Sequence, residues 1–139
     1  MSDPYDLQRF VDAQDPVIDR VRGELERGRK TSHWMWFVFP QVIGLGRSAM
    51  AETFAIKSLA EAEAYLAHPI LGPRLRQCTR LMNAVADRSI SQILGYPDDL
   101  KFHACMTLFS RASPDEKEFE QALDKYFEGQ PHGETLERL

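Results

Sequence analysis

Apolar residues recur at helical spacing along nearly the whole chain. Val17, Ile18, Val21 and Leu25 lie on one face of a helix, and polar residues occupy the other faces. Similar apolar stripes begin near Leu7, Met50, Ala62, Ile70, Ile90, Leu100 and Phe119. No pair of alternating segments with a hairpin turn between them appears. The pattern predicts an all-α fold: a single compact helical domain over residues 1–139, with about seven short-to-medium helices.

Capping residues mark where these helices are expected to begin. Asp15-Pro16 and Ser113-Pro-Asp-Glu116 combine an N-cap residue with a proline in the first turn, and the second also carries a capping box. Ser58 and Glu61 form another capping box. Further N-caps are predicted at Ser48 and Ser89, and Pro73 is predicted to lie in the first turn of its helix.

Residues 30–48 form the most distinctive segment, because they include both tryptophans of the chain. We expect this segment to be the central packing element of the fold, since large aromatic side chains are usually buried. It is also rich in polar neighbours, which suits one wall of a pocket that stacks a planar ligand. Both interpretations remain open, and the candidate wall residues are His33, Trp34, Trp36, Phe39 and Gln41.

The end of this segment, from Gly44 to Ala49, has the glycine-x-glycine-x-x-alanine spacing of a dinucleotide-binding turn. That motif requires a parallel βαβ unit, and the helical surroundings together with Pro40 argue against one. A weaker hypothesis is that Gly46, Arg47 and Ser48 offer an anion-binding turn at a helix start. The alternative is a tight turn in which Ser48 only caps the next helix.

Asp98 and Lys101 add a second candidate element. Their i, i+3 spacing allows an ion pair on a helix, and we expect either a surface pair or a lysine directed at the aromatic pocket and held by the carboxylate. The four histidines lack helical metal-ligand spacing, so no metal or cofactor is predicted. Cys78 and Cys105 lack the spacing of a zinc or redox pair and are expected to be buried apolar residues.

Composition narrows the class of protein. Of the 139 residues 43% are hydrophobic and 27% are charged, as in ordinary globular domains, and the net charge is −4. This charge disfavours nucleic acid as a partner, and no apolar run is long enough to cross a membrane. Without a secretion signal, the expected location is the reducing cytoplasm. The sequence does not indicate an oligomeric state.

Several motifs together resemble a known family. They are Ser32–Gln41, Gly44-Leu-Gly46, His68-Pro69 with Leu71-Gly72, and Lys101 followed by Met106–Phe109. The chain is similar over nearly its whole length to the small bacterial family called domain of unknown function 1810. The resemblance implies a mainly helical cytosolic domain and brings no activity with it. Where the family suggests a pair of serines, this chain has His103-Ala104-Cys105.

Two functional hypotheses follow. The first is a pocket for a small molecule or nucleotide-like ligand, walled by Trp34, Trp36, Phe39 and the Gly44–Ser48 turn, with hydrolysis of a glycosidic bond as its enzymatic form. The second is a non-catalytic module that binds a partner protein through a helical groove. No residue of the sequence can be assigned a catalytic acid or base role.

Overall fold

The computed structural model describes residues 3–139 of the chain. Ten helices lie within these residues, against the seven or so predicted; each apolar stripe named above forms one helix, and the short helices Met35–Val38 and Gly133–Glu137 are additional. They are α1 (Gln8–Gln14), α2 (Ile18–Glu26), α3 (Met35–Val38), α4 (Ala49–Thr53), α5 (Leu59–Ala67), α6 (Leu71–Ala84), α7 (Ile90–Leu94), α8 (Asp98–Ala112), α9 (Lys117–Phe127) and α10 (Gly133–Glu137). None of them is long and apolar enough to cross a membrane.

The serine N-caps occur where the sequence predicts them. The hydroxyl of Ser48 accepts the N–H of Ala51 at 3.1 Å, and Ser89 forms a complete capping box with Gln92. Ser58 accepts the N–H of Glu61, whose carboxylate accepts the N–H of Lys57. The box at Ser58 is therefore only half formed. Short polar side chains thus set the starts of α4, α5 and α7.

The two proline-containing starts differ from prediction. Helix α2 begins after Val17 without a side-chain cap, and the carboxylate of Asp15 instead pairs with Arg74 at 2.8 Å. Ser113 follows the last residue of α8 and opens a turn, in which the N–H of Glu116 donates to its carbonyl. Helix α9 therefore starts at Lys117. At Asp15 the side chain forms a tertiary ion pair in place of the predicted cap, and at Ser113 a local turn precedes the helix.

Helix α8 is the centre of the core. Its residues from Phe102 to Phe109 are buried except His103, and it packs against α5, α7, α9 and α10. Helix α6 packs against α2, α5 and α9, and it shares α5 and α9 as neighbours with α8. The aromatic segment joins this core through Phe39, whose ring lies 4.9 Å from that of Phe102. The apolar stripes thus face one shared core, as a helical domain requires.

The loop after the aromatic segment is fixed by two backbone hydrogen bonds. The N–H of Ile43 donates to the carbonyl of Ile56, and the N–H of Ile56 donates to the carbonyl of Gln41, both at 2.9 Å. They form an isolated parallel bridge between Val42 and Ile56, with no longer strand among residues 3–139. This bridge holds the Gly44–Ser48 turn beside α4 and positions Gln41 for the site described next.

Candidate functional site

Trp34 is anchored inside the fold by a buried carboxylate. Its indole N–H donates to Glu24 at 2.9 Å, and only 1% of either residue is exposed. Glu24 also accepts the backbone N–H groups of Thr31 and Ser32 and the hydroxyl of Ser32. Burial alone would raise the pKa of Glu24, but these hydrogen bonds outweigh it and lower the pKa to about 2. Trp34 is therefore a structural anchor with its polar atom satisfied.

Two lysines share one carboxylate beside the tryptophans. Asp98, at the start of α8, pairs with Lys30 at 2.9 Å and with Lys101 at 3.4 Å. The ammonium of Lys30 lies 5.1 Å from the centre of a Trp34 ring, and that of Lys101 lies 4.9 Å from a ring of Trp36. Both distances allow cation–π attraction. Lys101 is thus held in place by an ion pair on one side and an aromatic face on the other.

Lys101 opens into a cleft of about 330 Å³. Three segments that are distant in the sequence line this space: the loop after the aromatic segment, the start of α8, and the start of α10. The lining residues are Gln41, Leu45, Gly46, Pro97, Leu100, Lys101, His132 and Glu134. The mixture of apolar and convergent polar groups, at the lower end of the usual volume range, is typical of small-molecule sites.

His132 is both a cleft residue and the N-cap of α10. Its ring Nδ1 accepts the backbone N–H of Thr135 at 3.3 Å and lies 2.8 Å from the hydroxyl of the same residue. Its own backbone N–H donates to Thr107 on α8. Burial, and to a smaller extent the charge of His103, lower the pKa of His132. The neutral ring with Nδ1 as acceptor carries its proton on Nε2.

A larger groove of about 470 Å³ lies beside the first turn of α1. The guanidinium of Arg9 lines this groove, but its N–H groups already have partners within the protein. The guanidinium of Arg9 donates to the carbonyls of Tyr5, Thr53 and Ala55 and pairs with the buried carboxylate of Glu61 at 3.0 Å. This arginine therefore ties the start of the described chain to the segment before α5. The smaller cleft is the better candidate because three segments distant in the sequence converge there around a lysine held by an ion pair.

The structure brings together only part of the residue set predicted from the sequence. Gln41, Gly46 and Lys101 line the cleft, Asp98 holds Lys101, and half-buried Trp36 lies under the lysine. Trp34 and Phe39 are 1% and 0% exposed, which favours the core interpretation over the pocket wall for these two residues. His33, Arg47 and Ser48 are exposed and do not line the cleft.

Of the two interpretations of the Gly46-Arg47-Ser48 turn, the contacts favour the tight turn with a serine cap over the anion-binding turn. A Cβ atom at Gly44 would lie 2.4 Å from the Arg138 guanidinium, and one at Gly46 would lie 2.6 Å from the Cβ of Ala51. Gly44 also has a φ of +96°, a conformation that favours glycine. The glycine spacing therefore serves close packing within the chain, and the hydroxyl of Ser48 already occupies the N–H of Ala51.

Four cleft residues were not predicted from the sequence, namely Pro97, Leu100, His132 and Glu134, whereas Leu45 lies within the Gly44–Ser48 turn that was predicted as a wall. Leu100 could be found only by knowing which loop faces α8. His132 and Glu134 lie about 30 residues beyond Lys101, and no motif connects them to it. The one local signal was the histidine itself, placed just before a short helix.

The cysteines and the His103–Cys105 segment stay outside the cleft chemistry. Burial raises the pKa of the Cys78 thiol to about 12 and that of Cys105 well above its usual value, so neither is a ready nucleophile. Ala104 and Cys105 are buried, so serine hydroxyls at these positions would face the core. The ring of His103 stacks on Phe127 with centres 3.9 Å apart.

Comparison with known proteins agrees with this architecture. A family model described as "Protein of unknown function (DUF1810)" matches residues 4–139. The chain belongs to this family. It is similar to the crystal structure of the conserved hypothetical protein Rv1873 from Mycobacterium tuberculosis, at 53% identity and a TM-score of 0.97, covering 99% of this chain and 98% of the other. No curated protein matches.

Proposed function

We propose that the protein binds a small molecule of nucleotide type in the cleft between the Gln41–Gly46 loop, α8 and α10. One observation carries the proposal: three segments far apart in the sequence converge on a single concave space around a lysine held in position. Folding must bring such groups together against the entropy of the chain. Their convergence on a concave space is the arrangement expected of a binding site.

The cleft offers complementary chemistry for such a ligand. Leu45, Pro97 and Leu100 provide apolar surface for a flat ring. Lys101 and Gln41 provide hydrogen-bond donors, and Glu134 provides an acceptor for hydroxyl or amino groups. The volume of about 330 Å³ lies at the lower end of the range of small-molecule sites, which suits a metabolite-sized molecule.

Binding is better supported than cleavage of a glycosidic bond. Most glycosidases place two carboxyl groups on either side of the scissile bond. Among the cleft-lining residues of the described chain, Glu134 alone carries a carboxyl group. Asp98 does not line the cleft, and its carboxylate is paired with two lysines. The concave shape with converging polar groups also favours a small ligand over a partner helix, which needs an elongated apolar groove.

Tryptophan fluorescence and thermal unfolding together test the proposal. Trp34 is sealed in the core, whereas Trp36 is half-buried under Lys101, so a ligand in the cleft is expected to change the emission of Trp36 alone. A nucleotide present at 100 times its dissociation constant is expected to stabilise the fold by about 2.7 kcal/mol. The assay screens a panel of nucleosides and nucleotides against the wild type.

Trp36→Phe is the matched variant, because it removes the reporter ring and leaves Trp34 in place. The fluorescence change is expected to disappear in this variant while the thermal shift largely remains. A panel in which no nucleoside or nucleotide raises the melting temperature or alters Trp36 emission would contradict a nucleotide-type ligand.

A further inference from the structure

We infer that the cleft recognises an anionic oxygen group of its ligand, a phosphate or a carboxylate, between the ammonium of Lys101 and the Nε2–H of neutral His132. This inference rests on the proposed small-molecule function and names the chemical group that the site selects. It depends on the pairing of Lys101, the ring orientation of His132, and the placement of Glu134.

Lys101 retains donors for a ligand. The trio of Lys30, Asp98 and Lys101 carries two positive charges and one negative charge. Lys30 is the more tightly paired lysine, at 2.9 Å from Asp98 and with 8% of its side chain exposed. Lys101 lies 3.4 Å from the same carboxylate, longer than a strong charged hydrogen bond. An ammonium has three N–H groups, and Asp98 is the one carboxylate paired with Lys101 within residues 3–139, so donor capacity is left for a ligand in the cleft that Lys101 lines.

His132 supplies a neutral donor of fixed orientation. Its Nδ1 accepts the N–H of Thr135, so the proton of the neutral ring lies on Nε2. Within residues 3–139, no hydrogen bond joins Nε2 to a protein acceptor. The charged or titratable groups around the ring are His103 on α8, with ring centres 5.3 Å apart, and Lys101 and Glu134, which line the same cleft.

Glu134 decides where an anion can lie. Its carboxylate would repel a negatively charged group, so the anion belongs on the Lys101 side of the cleft. The exposed Glu134 side chain then faces the uncharged part of the ligand, where it can accept from a hydroxyl or an amine. The arrangement favours a metabolite with an anionic group at one end and a donor group at the other.

The experiment compares charged and neutral members of two probe pairs. Adenosine and adenosine monophosphate test a phosphate, and benzyl alcohol and benzoate test a carboxylate. Each probe is titrated into ¹⁵N-labelled protein, and its dissociation constant is read from the NMR shifts of cleft residues. At least one charged probe is expected to bind at least tenfold more tightly than its neutral counterpart, because a hydrogen bond to a charged group is the stronger kind.

Two variants and a control identify the donors. Lys101→Met removes the ammonium, and His132→Asn removes Nε2 while keeping a good N-cap for α10. Both are expected to reduce the preference for the charged probe several-fold, and Lys57→Met, an exposed lysine outside the cleft, is expected to leave it unchanged. In the wild type, the ring ¹⁵N signals are expected to show an unprotonated Nδ1 and a protonated Nε2 that moves only with the charged probe.

The outcomes separate this inference from the broader proposal. Equal binding of charged and neutral probes in the cleft would overturn the anionic group and leave small-molecule binding intact. A protonated Nδ1 in His132 at neutral pH would overturn the role of its ring. Cleft residues that respond to none of the four probes would count against both. Preference for the phosphate pair alone, or the carboxylate pair alone, identifies the source of the anion.

Discussion

Glu24→Gln tests whether a buried carboxylate fixes the aromatic segment. The carboxylate accepts four hydrogen bonds, from the backbone of Thr31 and Ser32, the hydroxyl of Ser32 and the indole of Trp34. It forms no ion pair within residues 3–139. Three N–H groups donate to one carboxylate oxygen and only the Ser32 hydroxyl donates to the other, so a glutamine can keep these partners but loses the negative charge that strengthens the hydrogen bonds.

The lowered pKa of Glu24 gives the size of the stability loss expected for Glu24→Gln. The hydrogen bonds hold the pKa of Glu24 at about 2 against an ordinary value of 4.5. At about 1.4 kcal/mol per pKa unit, the ionised group contributes about 3 kcal/mol to stability at pH 7. Because the folded pKa is lowered, this contribution is nearly complete above pH 4.5 and is lost as the pH falls towards 2. Roughly half of it remains at pH 3.

Urea unfolding at pH 7 and pH 3 measures the effect. The free energy of unfolding of Glu24→Gln is expected to fall below that of the wild type by about 3 kcal/mol at pH 7 and by about half as much at pH 3. Glu26→Gln is the matched control, since Glu26 is exposed on the same helix. A loss below about 1 kcal/mol at pH 7, or an equal loss at both pH values, would refute the reasoning.

Three further predictions concern other parts of the fold. Gly72→Ala is expected to lose about 1–3 kcal/mol in urea unfolding, because the new Cβ would lie 2.2 Å from the carbonyl oxygen of Leu66. Arg9→Met is expected to lose about 3–5 kcal/mol in the same assay, since the buried Glu61 loses its cation. The lowered pKa of His132 means that the unfolded chain binds a proton first as the pH falls through 6.5. The wild type is therefore expected to lose stability relative to His132→Asn between pH 8 and pH 5.

Each of these predictions has a contrary result. An unchanged unfolding midpoint for Gly72→Ala would mean that α5 and α6 separate at little cost. Full stability of Arg9→Met at pH 7 would mean that Glu61 is satisfied by the N–H of Lys57 alone. If the difference in unfolding free energy between the wild type and His132→Asn stayed constant across the pH range, the lowered pKa of His132 would be contradicted.

The helical class could be predicted because its causes are local. Apolar spacing defines which face of a helix is buried, and the caps at Ser48 and Ser89 depend on atoms only three residues away. The start predicted at Asp15 was wrong, and its carboxylate instead pairs with Arg74 on another helix. The start predicted at Ser113 was wrong because the chain first makes a local turn, in which the N–H of Glu116 donates to the carbonyl of Ser113.

In the candidate site, too, local contacts could be predicted from the sequence and distant contacts could not. The spacing of Asp98 and Lys101 on one helix predicted their ion pair, which the structure confirms. The same spacing could not show that Lys30 shares the carboxylate, or that Trp36 rather than Trp34 lies beneath Lys101. Those contacts depend on how the aromatic segment crosses the start of α8.

The sequence by itself determined an all-α domain, its family, and a tryptophan segment near the centre of the fold. Tertiary structure decided which aromatic rings are core and which face a cleft, that the glycine turn makes room for Arg138, and that His132 joins Lys101. The physical reason is the distance along the chain over which each kind of interaction acts. Helix periodicity and capping are short-range effects along the chain, whereas a cleft is formed by segments whose proximity depends on the packing of the whole core.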